Sequence, residues 1–194
     1  MRKLKLQMQV SVDGFVCGEQ GEMDWMTWDW DDELKDYVTQ LTANCDLLLL
    51  GHGLANGFIP HWQALAENPE SAEDFTKKMA DIQKIVFSHT PAELAKQESV
   101  SNWKNTSIGG HNLIEEITQL KKQEGAEMIC YGGADFIGSL TAANLIDDYF
   151  LFINPAAIGK GKRIFDKLEK SLPLQLLNTR RFDCGMAVMH YRKS

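Results

Sequence analysis

The chain has few of the residues that build metal sites and disulfide frameworks. It carries four cysteines in 194 residues, and no two of them form a CxxC pair. Structural zinc needs clustered ligands, and the five histidines also lack an HxxxH spacing. The sequence therefore predicts no metal site. The cysteines are expected to be free thiols that are mostly buried as small apolar side chains.

Long apolar runs and basic runs are also missing. No stretch approaches the roughly 18 apolar residues of a membrane span, and residues 1–10 alternate polar with apolar, unlike a signal peptide. The formal net charge is -7, which disfavours nucleic acid and anionic membranes as partners. We expect a cytoplasmic protein that acts on a small-molecule substrate. The sequence says almost nothing about assembly and leaves a homodimer open.

What the chain does contain is an alternation of strands and helices. Period-two spacing from Leu4 to Val12 predicts a long first strand, and apolar runs predict strands at 45–51 and 84–88. Further strands are expected at 126–131 and about 145–153, with helical patterns at 30–43, about 52–66, 112–124 and 134–143 and a short helix after the polar segment 68–73. A hairpin, 173–182 and 186–194, closes the chain around Asp183–Cys184–Gly185.

This order of elements predicts an α/β fold. The mainly parallel central sheet would have helices on both faces, and the C-terminal hairpin would add an antiparallel edge. No internal repeat, low-complexity tract or linker interrupts the chain. We therefore expect one domain over residues 1–194.

Unusual residues follow four of the predicted strands, where open α/β sheets bind their ligands. The most informative is the Gly132–Gly133 pair, between an apolar strand and a helix. Glycines there leave free backbone N–H groups at a helix N-terminus and let a phosphate or pyrophosphate approach the chain. A tight turn that lets the helix pack closely is the alternative, and the spelling GGADF lacks the GxGxxG fingerprint.

The other candidates also have a structural alternative. His52 and His89 directly follow apolar strands, where an imidazole can contact phosphate or be a solvated bystander. Asp13 precedes a glycine, so it is either a catalytic residue or part of a turn. The tryptophans of "DWMTWDW" line a cleft or pack in the core. Residues 159–163, GKGKR, lack the Walker spacing and favour a basic surface turn over a phosphate loop.

Four stretches together resemble a known family. They are "SVDGFVCG", "DLLLLGH", "KIVFSHT" and "YGGADFIGSLTAANLIDDYFLFINPAAIGKGKRIF". The chain resembles the dihydrofolate reductase-like fold, and most closely the C-terminal reductase domain of the riboflavin-pathway deaminase-reductase with its stand-alone relatives. The resemblance extends over nearly the whole chain, and it is weak at 55–80 and 92–106.

The resemblance implies NADPH binding across the strand ends. It gives each matching position an expected role. The pyrophosphate would be held by Gly132, Gly133, Ala134, Asp135 and Phe136; the adenosine phosphate would be flanked by Gly51, His52, Ser88, His89 and Thr90; Gln9 and Val16 would lie near the nicotinamide; Trp25 would face the substrate; and Asp13 is the candidate proton donor.

Departures from the family pattern qualify these roles. The family usually has arginine where His52 and His89 stand, and threonine where Leu54 stands. A neutral imidazole offers one donor instead of a bidentate fork, so NADH is a possible cofactor beside NADPH. An ungapped match puts Lys35 where dihydrofolate reductases carry their pocket carboxylate, with Asp31, Asp32 and Asp36 nearby, so folate reduction is not supported.

The expected activity is reduction of a small pterin- or ribosylaminopyrimidine-like substrate. It would resemble that of 5-amino-6-(5-phosphoribosylamino)uracil reductase. Two alternatives are a true dihydrofolate reductase and a non-catalytic nucleotide-binding protein with an eroded site.

Overall fold

Strands and helices alternate through most of the chain. The computed structural model describes residues 1–68 and 73–194. The strands are β1 Leu4–Val10, β2 Cys45–Gly51, β3 Gln83–Phe87, β4 Thr106–Ile108, β5 Glu127–Tyr131, β6 Asp148–Ile153, β7 Leu174–Arg181 and β8 Ala187–Lys193. The helices are α1 Asp32–Ala43, α2 His52–Glu67, α3 Asp74–Asp81, α4 Pro91–Leu94, α5 Leu113–Lys122 and α6 Ala134–Ala142, with a 3₁₀ helix at Glu98–Asn102.

All eight strands join one mixed sheet in the order β4, β3, β2, β5, β1, β6, β8, β7. The pairs from β4 to β6 are parallel, and β6, β8 and β7 pair antiparallel. The predicted fold class is confirmed. The hairpin turns where expected, with Gly185 at φ +91 supplying a conformation that side chains disfavour.

The first strand lies in the middle of this sheet, between β5 and β6. Its residues Leu4, Leu6, Met8 and Val10 are buried on one face against α6, while the opposite face is polar. The neighbouring β2 has instead the continuous apolar run Leu47–Leu50, typical of a strand covered on both faces. The polar face of β1 therefore marks a place where the sheet is not simply covered by apolar helices.

The helices cover the sheet through apolar stripes. Asp31 caps α1, its carboxylate accepting the N–H of Leu34 at 2.8 Å, as the acidic start of this segment predicts. That helix packs Leu34 and Val38 against β6 and β8. On the other face, α6 packs Ile137 and Leu140 into the main core.

Two regions differ from the sequence-based expectation. The short edge strand β4 and the small helices before it were not predicted, because three- to five-residue elements carry too little periodicity to stand out. Of the predicted polar segment 68–73, residues 69–72 lie outside the described residues. Nowhere in the described ranges is a helix both long and apolar enough to cross a bilayer.

Candidate functional site

A cavity of about 1380 Å³ opens at the carboxyl ends of the parallel strands. It is bounded by the ends of β1, β2, β3 and β5 and by parts of α1, α2, α3 and α6. Ordinary ligand pockets measure roughly 300–1000 Å³, so this one has room for a ligand of two parts or for two ligands. All the residues expected to bind cofactor line it: Gln9, Val16, Gly51, His52, Ser88, His89, Thr90, Gly132, Gly133, Ala134, Asp135 and Phe136.

Two helix N-termini meet at one end of the cavity. Helix α2 begins directly after β2, and two residues separate α6 from the adjacent β5; among the described residues, no side chain caps either helix. The first intrahelical hydrogen bond of α6 runs from the Ile137 N–H to the Gly133 carbonyl, so the N–H groups of the preceding residues have no partner within the helix. Such an end attracts anions through both the free N–H groups and the helix dipole.

Glycine stands at these positions of the cavity end for different physical reasons. A Cβ on Gly132 would come within 2.7 Å of the Phe136 ring, and one on Gly51 within 3.0 Å of the Phe136 Cβ. These two glycines are therefore explained by packing around Phe136, which stacks on Phe87. A Cβ on Gly133 would meet nothing within 4 Å, and its φ of -74 suits any residue. Gly133, like Gly53 in the first turn of α2, therefore leaves open space that packing does not require.

Charged groups surround the start of α6. The Asp135 carboxylate pairs with Lys167 and lies 2.9 Å from the His89 Nε2 atom. The hydrogen bonds from Lys167 and then from His89 hold the pKa of Asp135 below its usual range. Asp135 therefore places a carboxylate beside the anion-attracting helix end. His52 is 3.1 Å from the Asn56 amide.

Asp13 lies outside the cavity lining, unlike the expectation for a proton donor. Its carboxylate accepts from the Ser11 hydroxyl at 2.7 Å and from the backbone N–H groups of Ile158 and Gly159 at 3.2 and 2.7 Å. These bonds, the one from Ser11 foremost, lower the pKa of Asp13 to about 2. A group ionised at neutral pH and committed to two loops acts as an anchor, so the turn alternative describes Asp13 better.

Trp25 also lies away from the cavity lining. It borders a separate surface pocket of about 300 Å³ beside Gly18 and Lys160, and its indole N–H is 3.3 Å from the Glu22 carbonyl. The loop turns at Met23–Met26, which buries Met26 and directs Trp25 to the other side. The next two tryptophans, Trp28 and Trp30, line the cavity instead.

Aromatic side chains form the walls at the end of the cavity away from the two helix N-termini. Trp28 and Trp30 stack with ring centroids 6.3 Å apart, and Phe58, Trp62 and Phe75 also line the cavity. Flat apolar rings of this kind suit a planar heterocycle. Lys35 of α1 lies at the same end, and its ammonium group is 3.7 Å from the Asp32 carboxylate in an exposed pair.

The floor between the two ends is formed by amide side chains. Gln9 accepts a 2.7 Å hydrogen bond from the buried Asn154 amide, and Asn154 in turn accepts the backbone N–H of Thr27 at 2.8 Å. Gln7 lies 2.8 Å from the Tyr131 hydroxyl. No motif in the sequence distinguishes Gln7 or Asn154. Polar residues alternating along a strand look like a solvent face until the topology shows the strand to be central.

Within residues 1–68 and 73–194, no group of three or more histidine, cysteine or acidic side chains is arranged to hold an ion.

The order and directions of the eight strands are those of a dihydrofolate reductase-like fold. The RibD C-terminal domain model matches residues 2–188. The chain belongs to the RibD C-terminal domain family, as its motifs had indicated.

Similar proteins extend this comparison. The uncharacterised protein YyaP of Bacillus subtilis (strain 168) is 31% identical over 193 residues, and the match covers 98% of this chain and 94% of the YyaP chain. A Thermotoga maritima diaminohydroxyphosphoribosylaminopyrimidine deaminase/5-amino-6-(5-phosphoribosylamino)uracil reductase has a TM-score of 0.70 at 16% identity, covering all of this chain and 57% of its own. Dihydrofolate reductase from Enterococcus faecalis, complexed with NADP(H), has a TM-score of 0.59 at 14% identity, covering 99% and 96%. At such identities the two structures show a shared fold.

Proposed function

We propose that this protein is a nicotinamide nucleotide-dependent reductase of a small heterocyclic substrate. The observation that carries the proposal is the division of one cavity into two unlike ends. One end has two uncapped helix N-termini beside open space at Gly133, and the other has stacked aromatic walls. A dinucleotide diphosphate suits the first end, and a flat ring suits the second.

The residues present fit such a cofactor. The N–H groups at the start of α6 and α2 would hold the pyrophosphate, and Gly133 supplies the space in which a phosphate could touch the backbone. Val16 and Gln9 lie farther along the cavity lining, where the resemblance puts the nicotinamide. When bound, the cofactor supplies the hydride, while the chain's own residues supply placement and exclusion of water.

Both NADPH and NADH are proposed as cofactors. NADPH is favoured by the likeness to a dihydrofolate reductase that was crystallised with NADP(H). His52 and His89 nevertheless stand where the family usually has arginine, and His89 already contacts Asp135. An imidazole that also contacts a carboxylate binds a 2′-phosphate more weakly than a free guanidinium fork does. We therefore expect a smaller preference for NADPH than two arginines would provide.

The proposed substrate is a pterin- or ribosylaminopyrimidine-like ring. A reductase of 5-amino-6-(5-phosphoribosylamino)uracil shares this fold. The aromatic walls suit the ring, and Lys35 at the same end suits an anionic substituent such as a phosphate. Lys35 also argues against dihydrofolate, because it stands where dihydrofolate reductases carry the carboxylate that pairs with the pterin.

A cofactor titration tests the proposal first. Isothermal titration of the purified protein with NADPH and NADH should give saturable binding of at least one of them, and a screen of oxidised pterins and ribosylaminopyrimidines should then find one that accelerates NADPH oxidation. Absence of binding to both nucleotides would refute the proposal. Binding without any turnover would favour a nucleotide-binding protein, an alternative supported by the placement of Asp13 away from the cavity. Turnover of dihydrofolate would instead identify a true dihydrofolate reductase.

A further inference from the structure

The floor of the cavity is polar where a sheet is ordinarily apolar. β1 is an interior strand with parallel neighbours on both sides, yet Gln7 and Gln9 occupy one of its faces. Interior strands of parallel sheets are usually apolar on both faces, because a buried polar group is costly unless it is paired. Both glutamines line the cavity. A polar partner that lies on this face when the cavity is filled would account for them.

A chain of hydrogen bonds determines which way the Gln9 amide faces. It starts at the backbone N–H of Thr27, which can only donate, so the Asn154 atom that receives it is the carbonyl oxygen Oδ1. The Asn154 amide nitrogen then donates to Gln9 at 2.7 Å and to the Phe152 carbonyl at 3.2 Å. Gln9 must therefore accept with its Oε1 atom.

This orientation leaves the Gln9 amide N–H groups for the cavity. In the described part of the chain, nothing accepts a hydrogen bond from the Gln9 Nε2 atom. Asn154 is completely buried, which holds the arrangement in place. Gln7 differs, because its neighbour is the Tyr131 hydroxyl, and a hydroxyl can donate or accept. Gln9 is thus a donor of fixed direction, whereas Gln7 can present either of its polar atoms.

We propose that the Gln9 amide donates a hydrogen bond to a carbonyl oxygen of the bound ligand. The site would then select a ring that carries C=O over one that carries C–NH₂ at the same position. This inference rests on the proposed function, and if the carbonyl belongs to the substrate it narrows the substrate class to oxo-substituted heterocycles. The same chemistry occurs in the carboxamide of a nicotinamide, so the substrate ring and the cofactor are the two possible sources of the carbonyl.

Two matched pteridines test the substrate source. Pteridine-2,4-dione and pteridine-2,4-diamine share one ring skeleton and carry C=O or C–NH₂ at two positions, with N–H groups or bare ring nitrogens at N1 and N3 to match, and both are titrated calorimetrically against the full chain at pH 7. The wild type should favour the dione. Gln9→Glu keeps an oxygen for Asn154 and replaces the donor by an acceptor. It should therefore shift the affinity ratio toward the diamine by roughly ten- to a hundredfold, about 1.4–2.8 kcal/mol.

Gln7→Glu is the control for charge. It puts the same carboxylate on the same strand face two residues away, where the donor direction is not fixed by the chain. It should shift the ratio much less than Gln9→Glu does. Equal shifts in the two variants would mean that any negative charge in the cavity has this effect, and the proposal would be wrong. Thermal melting of each variant verifies that the fold is retained.

A second pair of ligands tests the cofactor source. NADP⁺ and its 3-acetylpyridine analogue both carry the carbonyl, but only NADP⁺ has amide N–H groups that can turn toward a carboxylate. If Gln9 serves the cofactor, the wild type binds both alike and Gln9→Glu loses the analogue selectively, by a similar ten- to hundredfold.

The two arms decide the proposal together. A wild type that binds neither pteridine removes the substrate ring as the source and leaves the decision to the cofactor arm. If Gln9→Glu changes the selectivity in neither arm, the proposal is wrong. A wild type that binds no nicotinamide nucleotide refutes the proposed function, and the pteridine arm then decides the role of Gln9 by itself.

Discussion

Substituting the two adjacent glycines of the β5–α6 turn should have opposite consequences. Gly133→Val puts two methyl groups into space where a Cβ meets nothing within 4 Å, and where the backbone is already extended. The fold should tolerate it. A lower entropy of the unfolded chain offsets the lost N-cap preference of glycine, so the free energy of unfolding should change by less than about 1 kcal/mol. For a chain of this size that corresponds to a melting temperature within about 2–4 °C of wild type.

Dinucleotide binding should suffer in the same variant. The new methyl groups stand between the ligand and the free N–H groups at the start of α6. Losing one or two charge-assisted hydrogen bonds, at about 1.5–3 kcal/mol each, weakens NADPH binding by about tenfold to more than a hundredfold. Titration of NADPH fluorescence measures the loss. NADH should lose as much, because both cofactors share the pyrophosphate.

Gly132→Ala is the matched control. Its Cβ would lie 2.7 Å from the Phe136 ring, and that ring stacks on Phe87 at the floor of the cavity. Overpacking of this kind costs about 1–3 kcal/mol, which predicts a melting temperature lower by about 2–12 °C. A folded Gly133→Val protein that binds NADPH like wild type would refute the pyrophosphate assignment. A Gly132→Ala protein of unchanged stability would refute the packing explanation.

Three further predictions concern charged and titrating groups. The double variant His52→Arg, His89→Arg should raise the NADPH/NADH affinity ratio by about tenfold or somewhat more. Solvent exposure and the nearby Asp135 limit the gain. An unchanged ratio in titrations with both cofactors would show that these residues do not contact the 2′-phosphate. Asp135→Asn should strengthen binding of both cofactors, since it removes a negative charge beside the helix end, and it should strengthen NADPH binding more, since it also frees His89; weaker binding in the same titrations would contradict this. Asp13→Asn should lower the melting temperature at pH 7 without changing NADPH affinity. Because the folded pKa is about 2, this contribution is present above about pH 4 and is lost as the pH falls toward 2, so melting curves of the two proteins should converge there.

The fold and the candidate cofactor end could be predicted well from the sequence. Apolar runs such as Leu47–Leu50 identify strands, and parallel strands end at one edge of the sheet. Residues that directly follow such strands, His52 and His89 among them, therefore line one cavity whatever the details of the loops. Their position depends on the strand pattern, which is local and strong.

The loop after β1 could not be predicted in the same way. Whether Asp13 reaches the cavity depends on residues 158 and 159, which lie far from it in the sequence. The backbone N–H groups of these two residues donate hydrogen bonds to the Asp13 carboxylate. Whether Trp25 or Trp28 faces the cavity depends on one turn at Met23–Met26. Neither contact leaves a periodic signal. The role of Gln9 was equally hidden, because only the strand order shows that β1 is an interior strand.

The two ends of the cavity are built from different parts of the chain. The proposed cofactor end uses backbone N–H groups at helix starts and the space at Gly133, which survive most changes of side chain. The proposed substrate end uses side chains such as Trp28 and Lys35, each of which can be replaced without altering the sheet. Membership of a family therefore says more about the cofactor than about the substrate. For the same reason, we expect the choice of ring to depend on single hydrogen-bonding groups on the cavity floor, such as the donor that we propose for Gln9 at the end of the Thr27–Asn154–Gln9 chain.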